Sequence, residues 1–336
     1  MEALILNYIG SKLKLFPFIY DTITSVCGAV LHDKVFCDMF AGTGNVGVGF
    51  KPQVKTVLAN DMEYYAYVLN RHYIGNNTLE ELVGYEDYIK ELNVIKLSNH
   101  GFIYDYYCKE GRLFFSEENG KKIDNARQYI EHLSRENLID FPMFFLLLAS
   151  LLESADKVAN TASTYAAFLK QLKKSAQETM KIKVAPFNCT LNKHKVYCEN
   201  ANRLINGIEG DILYLDPPYN KRQYGAYYHV LNTIAQYTAF KPRGITGQHS
   251  YNRSKWCMPS QVLSEFEDLI QGAKFKHIFL SYNNEGLMPL EQIRNVMQKY
   301  GKYDLVSKEY PRFKQDKNRV KRPATVMEYI HVLEKS

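Results

Sequence analysis

Lys34–Phe50 reads KVFCDMFAGTGNVGVGF. An apolar run stops at Asp38, and glycines at 42, 44 and 47 follow before an apolar helical pattern resumes. Strand, glycine-rich turn and helix in that order form one unit of an α/β sheet. The unit repeats at once in TVLANDMEYYAYVLN, Thr56–Asn70, where the apolar run ends at Asp61 and a helix is predicted from about Glu63. Two such units in succession predict a parallel sheet with crossover helices.

Further strands are predicted outward from that stretch. HKVYCE, DILYLDPPY and KHIFLSYN each join a β-forming apolar run to a polar corner. YDLVSKEY and PATVMEYIHVL predict two C-terminal strands that pair antiparallel across a basic loop. Between about residues 75 and 184 the strand pattern lapses. That stretch reads as mainly helical, with one short strand candidate at GRLFF and amphipathic helices over DNARQYIEHLSREN and TYAAFLKQLKKSAQETM. The chain thus divides into a sheet domain, residues 1–74 and 185–336, and a helical insertion, residues 75–184.

At 336 residues and 46% hydrophobic the chain can bury a large core. Its net charge of +6 is compatible with a polyanionic partner. None of the six cysteines forms a CxxC pair and no histidine sits at metal-ligand spacing, so no metal is expected and reduced cysteines in a cytoplasm are. The apolar run Phe141–Leu152 is too short to span a bilayer and predicts a buried helix.

The glycine loop by itself fits two cofactors. Gly42, Gly44 and Gly47 spell GxGxxG, and Asp61 stands 19 residues beyond Gly42, as in a dinucleotide fingerprint. Asp38, however, would oppose a pyrophosphate and suits a cationic ligand, such as the amino group and sulfonium of S-adenosylmethionine. The corner after the third long apolar run bears on the choice. Asp216-Pro217-Pro218-Tyr219 places a carboxylate, a carbonyl that two prolines hold stiffly, and a flat ring at a strand end. Two acceptors beside an aromatic face suit the exocyclic amine of a nucleobase. Held there, the amine can attack a methyl group in line with a departing sulfur. A nicotinamide-dependent dehydrogenase would leave this corner without a purpose.

Taken together, NYIGSK (Asn7–Lys12), DMFAGTGNVG (Asp38–Gly47), ANDMEYYAYVLN (Ala59–Asn70), DPPY (Asp216–Tyr219), YNNEG (Tyr282–Gly286) and the ending RPATVMEYI resemble the Dam-like, D12-class adenine-specific DNA N6-methyltransferases. The resemblance implies a Rossmann-like, S-adenosylmethionine-dependent sheet and places target recognition in the insertion. It implies double-stranded DNA as partner, extrusion of the target adenine, and a restriction system with a cognate endonuclease. By the same resemblance Tyr8, Lys12, Asp38, Phe40, Ala41, Gly42, Thr43, Gly44, Asp61, Met62, Asn200 and Ala201 are the expected cofactor residues. Asp216, Pro217 and Tyr219 are the expected catalytic set. CENANRLI departs from the usual pattern at Glu199–Ala201, where many relatives have Gly-Asp-Ala. The same corner would also serve an RNA adenine or the N4 of cytosine, and a relative without catalysis would share the DNA-binding features.

For DNA, the candidates after the corner are Lys221, Arg222, Tyr224 and His229, with Tyr227 and Tyr228 reading equally well as helix core. Asn252 and Arg253 lie in the basic, glycine-containing stretch KPRGITGQHSYNRSKW. Arg112 and Lys170 are candidates from the insertion. The run RFKQDKNRVKR carries six basic residues and one acid, and Lys317, Arg319 and Lys321 there suit phosphates.

Overall fold

The computed structural model describes residues 12–76, 78–96, 100–109, 111–311 and 325–336. Seven strands form one mixed sheet: β1 Val35–Asp38, β2 Thr56–Asn60, β3 Lys195–Tyr197, β4 Glu209–Leu215, β5 Lys274–Asn283, β6 Gly301–Pro311 and β7 Thr325–Lys335. Their spatial order is β3-β2-β1-β4-β5-β7-β6. The first five run parallel, while β7 is antiparallel to β5 and to β6. The two predicted C-terminal strands therefore pair as expected. The chain turns from β1 to β2 on one side and reaches β4 on the other, so the strand order reverses between β1 and β4. Ligand crevices of open α/β sheets lie at such a reversal, beyond the strands' C-terminal ends. The pairing of Asp38 with Tyr214 brings Asp38 to within two positions of Asp216 across that gap.

Both faces of the sheet are covered, which is why its strands read as continuous apolar runs. Phe36, Val57, Ile212, Tyr214 and Phe279 belong to one core, and Cys37, Leu58, Leu213, Leu215, Ile278 and Leu280 to the other. Helix Val262–Gly272 and helix Leu290–Gln298 contribute to the second core. The first core runs without a break into the helical stretch between β2 and β3, where Leu146, Leu147, Leu148, Leu151 and Leu152 of helix Phe141–Val158 are wholly buried. Asp140 caps that helix by accepting from the Met143 amide, and Pro142 fits its first turn. Among the described residues no helix is long and apolar enough to cross a membrane.

Two expectations within this stretch fail. GRLFF is not a strand, and TYAAFLKQLKKSAQETM is an irregular segment with one short helix, Lys174–Gln177. One buried side chain accounts for both. Asn160 donates to the Leu113 and Leu169 carbonyls and accepts from the Lys173 amide. Its own amide donates to the Phe114 carbonyl at 2.7 Å. These bonds take the backbone groups that a strand or a helix would have paired. The two ends of the stretch meet on Lys51, a buried ammonium that donates to the carbonyls of Tyr73, Asn76 and Asn188 at 3.0, 2.8 and 2.8 Å.

Candidate active site

The ends of β1, β2 and β4 open into one cleft. Lys12, Asp38, Phe40, Ala41, Gly42, Thr43, Asp61, Met62, Asn200, Ala201, Asp216, Pro217 and Tyr219 all line it. The expected cofactor and catalytic residues thus converge, although 204 positions of sequence separate Lys12 from Asp216. Gly44 does not line the cleft. It stands behind the loop at φ +87°, where an added Cβ would lie 2.8 Å from Asn70 Oδ1. Tyr8 lies outside the described residues, as do Lys317, Arg319 and Lys321.

The glycine loop is built on two carboxylates. Asp38 Oδ2 accepts from the Gly47 amide at 3.1 Å, and Asp61 accepts from Gly42 and Glu63 at 2.9 Å each. Gly42, at φ +53°, offers its carbonyl to Asn70 Nδ2 at 2.8 Å. The other oxygen of Asp38 is buried without a hydrogen-bond partner among the described residues. Burial, with the nearby Asp216 charge second, pushes the Asp38 carboxyl up to about 8. Burial likewise raises Asp61 to about 6 and Glu63 to about 7, in the latter case with help from Asp61. A buried carboxylate oxygen with no donor, in an acidic cleft, fits the amino group and sulfonium of S-adenosylmethionine.

The Asp216–Tyr219 corner is held by Lys12. Its ammonium is 4% exposed, lies 2.9 Å from Asp216 Oδ1 and donates to Tyr219 Oη at 2.6 Å. The approach to Asp216 is a close ion pair without hydrogen-bond alignment, since that oxygen has no aligned donor. Burial raises Asp216, and Lys12 works against the rise. Burial disfavours the Lys12 ammonium, yet the surrounding acids, Asp216 first, hold its pKa well above the ordinary value. The pair borders the cleft and does not seal it, because Asp216 remains 15% exposed. Tyr219 is steadied from behind. Its ring meets Tyr282 edge-on at 5.7 Å, and its carbonyl accepts from the Leu287 amide at 3.1 Å. Gly286 is needed there, since any Cβ would strike the Tyr282 ring.

Three residues of the site escaped the sequence reading. Asn60 ties together the strand ends: Nδ2 donates to the Met39 and Glu199 carbonyls and Oδ1 accepts from the Glu199 amide. Trp256 lines the cleft, packs edge-on against Phe40 at 4.9 Å and donates to Asn202 Oδ1. Glu63 accepts from Asn232 Nδ2, which joins the cleft to the segment after the corner. The one sequence signal was that Trp256 is the only tryptophan. Asn200 spends Oδ1 on capping the short helix Ala201–Leu204.

The DNA candidates divide. Lys221, Arg222, Asn252, Arg253 and Lys170 are exposed, and Tyr224 lines the cleft. Tyr228 is core. His229 corrects the expectation of a DNA-facing ring. It is wholly buried, with Nδ1 2.9 Å from the Ala226 carbonyl and Nε2 2.9 Å from that of Thr246. Arg112 is also not a free surface cation, because its guanidinium donates to the carbonyls of Tyr106, Gly244 and Ile245.

A family model described as D12 class N6 adenine-specific DNA methyltransferase matches residues 8–296. The chain belongs to this family. This D12-class methyltransferase is 53% identical over 336 residues to the type II methyltransferase M.NlaIII of Neisseria lactamica, an alignment covering 98% of this chain and 100% of that protein. It is 33% identical over 310 residues to M.CviAII of Paramecium bursaria Chlorella virus 1, covering 92% and 93%. The match to M.FokI of Planomicrobium okeanokoites is 36% over 308 residues and takes in 88% of this chain but 47% of that longer protein. The D12 methyltransferase transfers a methyl group from S-adenosyl-L-methionine to N6 of adenine in DNA.

Proposed function

We propose that the enzyme methylates one specific duplex sequence and that it draws the target adenine out of the helix to do so. N6 is paired inside a duplex and cannot reach a cleft recessed at the ends of β1 and β4, so the base must leave the stack. The observation that carries the proposal is the meeting of Asp38, Asp216, Pro217 and Tyr219 at adjacent strand ends of one cleft. In this reading Asp38, Phe40–Thr43, Asp61, Met62, Asn200 and Ala201 hold the cofactor, and its methyl-bearing sulfonium supplies the electrophile.

Asp216 and the Pro217 carbonyl accept from the two amine hydrogens, and Tyr219 stacks on the purine. These acceptors draw the nitrogen lone pair out of conjugation and stabilise the positive charge that grows on N6. As the N6–carbon bond forms, the sulfur–carbon bond breaks and sulfur keeps the electron pair. The alkylated amine then loses one proton toward Asp216 and solvent. Lys12 works against the burial-driven rise of the Asp216 carboxyl.

Residues 75–184, together with the segment after the corner, form the recognition side. Lys221, Arg222, Asn252, Arg253, Lys170, Lys317, Arg319 and Lys321 contact the duplex, and Tyr224 borders the extruded base. A cognate restriction endonuclease and a cytoplasmic setting complete the proposal. The test uses the purified enzyme and unmethylated genomic DNA, with modified bases read by single-molecule sequencing, then 2-aminopurine in place of the identified adenine. One methylated motif and a fluorescence rise on binding are expected. Near-normal methylation by Asp216→Ala, or no rise in fluorescence, would refute the scheme.

A further inference from the structure

The segment that follows helix His229–Gln236 carries a closed turn with an unusual set of anchors. Arg243 and Gln248 exchange both backbone hydrogen bonds, at 3.0 and 2.8 Å, and the Gly247 amide donates to the Gly244 carbonyl at 3.3 Å. Gly244 and Gly247 hold φ of +67° and +66°, which other residues adopt only with strain. Each of the four carbonyls across the tip meets a side chain from another part of the chain, Tyr107 and His229 from the core and Arg112 from its edge. Arg112 donates to Gly244 and Ile245 at 3.5 and 3.3 Å. His229 Nε2 lies 2.9 Å from the Thr246 carbonyl, and Tyr107 Oη donates to that of Gly247 at 3.1 Å. The fit is tight, for a Cβ on Gly247 would come within 3.1 Å of the Arg112 side chain and 3.3 Å of the Tyr107 ring.

This anchored turn displays an apolar residue. Ile245 is 84% exposed, between Lys241 and Arg243 on one side and the polar run 248–254 on the other, and both basic residues are exposed. A single exposed aliphatic needs no explanation, and the protein has others. Ile245 differs in that its backbone has been made rigid before any partner arrives, so little ordering entropy is lost on contact. Its strand of chain also leads to the cleft. Tyr251 lies against Gly225, and Gln223 and Ser254, both lining the cleft, exchange hydrogen bonds at 3.1 and 2.8 Å. Nine positions separate Ile245 from Ser254. That places the tip within roughly 30 Å of the cleft mouth, less than one turn of a duplex.

We propose that residues 243–248 form a prefolded DNA probe. In this arrangement Lys241 and Arg243 contact phosphates, and Ile245 enters the duplex beside the target as an apolar wedge, lowering the cost of extruding the adenine. Arg112, Tyr107 and His229 are positioning residues for the wedge. The proposal rests on the base-extrusion reading above.

The test compares two duplexes carrying the methylated motif that sequencing identifies: one with thymine opposite the target adenine, one with an abasic site there. The abasic partner removes much of the unpairing cost that the wedge would offset. Ile245→Ala is expected to lower kcat/KM about 10-fold or more on the paired duplex and by less than about threefold on the abasic one. Ile245→Leu should behave as wild type, and cofactor affinity should not move. Arg112→Met should reproduce the split between the duplexes while speeding amide hydrogen exchange at residues 244–247. Equal losses on both duplexes, or no loss on either, would overturn the wedge. If wild-type enzyme gained nothing from the abasic partner and 2-aminopurine at the target stayed dark, the extrusion reading itself would fall and take the wedge with it.

Discussion

Replacing Asp216 by Asn should damage the enzyme in two separable ways. The first is catalytic. The amide keeps the shape of the carboxylate but offers no charge to the developing N6 cation, and loss of one such electrostatic partner costs about 10²–10³ in kcat. The second is structural. At 2.9 Å the Lys12–Asp216 attraction amounts to about 6 kcal/mol at an effective dielectric of 20. Both groups are mostly buried, so desolvation offsets part of it. Removing one partner of such a pair typically destabilises by about 3–5 kcal/mol, because the other charge stays buried alone. Here the Glu328 carboxylate, also in the field of Lys12, softens the effect toward the lower figure.

Asp216→Asn should therefore lower Tm by several degrees and abolish most turnover. Adding Lys12→Met to it should restore most of the lost stability and none of the activity. Lys12→Met alone removes the group that works against the burial-driven rise of the Asp216 pKa, so the acid limb of kcat/KM should move to higher pH. Thermal melts and labelled-methyl incorporation across pH on all four proteins measure the cycle. A double variant no more stable than Asp216→Asn, or an Asp216→Asn enzyme with near-wild-type turnover, would refute the reasoning.

Because the buried His72, His194, His229 and His331 are lowered to about 4 and oppose the raised carboxyls below about pH 6.5, stability of the ligand-free protein should fall with rising pH from about 6.5 to 8, where Glu63 and Asp38 hold protons in the folded state up to about 7 and 8. Their raised pKa values mean that the native state binds more protons than the unfolded one in that window, and Asp38→Asn should flatten the slope seen by denaturant titration. The same acid predicts that S-adenosylmethionine binding releases protons near neutral pH and tightens toward pH 8; calorimetry in buffers of different ionisation enthalpy should show the release, and Asp38→Asn should lose most of it. Gly44→Ala adds strain of about 1–2 kcal/mol at a left-handed φ and meets Asn70 Oδ1, so cofactor affinity should drop about 10-fold; unchanged affinity would show that the loop relaxes freely. Neutralising Lys317, Arg319 and Lys321 together should make the salt dependence of DNA binding shallower, by as much as about 0.9 in log–log slope for each phosphate that these side chains no longer neutralise.

The sequence alone determined the parallel strands, the antiparallel C-terminal pair and most of the side chains that meet in the cleft. These signals are local. A buried parallel strand must be apolar throughout, a left-handed turn selects glycine, and Asp38, Asp61 and Asp216 mark where apolar runs stop. Only the tertiary structure decided what those acids face. Lys12 reaches Asp216 from the far end of the chain, and Asn60 knots the strand ends, through contacts that no spacing announces. The failed helix over residues 164–180 shows the same limit. Its amphipathic pattern was genuine, but Asn160 offers those backbone groups hydrogen bonds that the helix would have had to forgo. His229 and Arg112 looked like surface cations because charge in a sequence carries no direction. In the fold the imidazole lies wholly inside and the guanidinium turns back onto the carbonyls of the 243–248 turn, since backbone acceptors there would otherwise lack these donors.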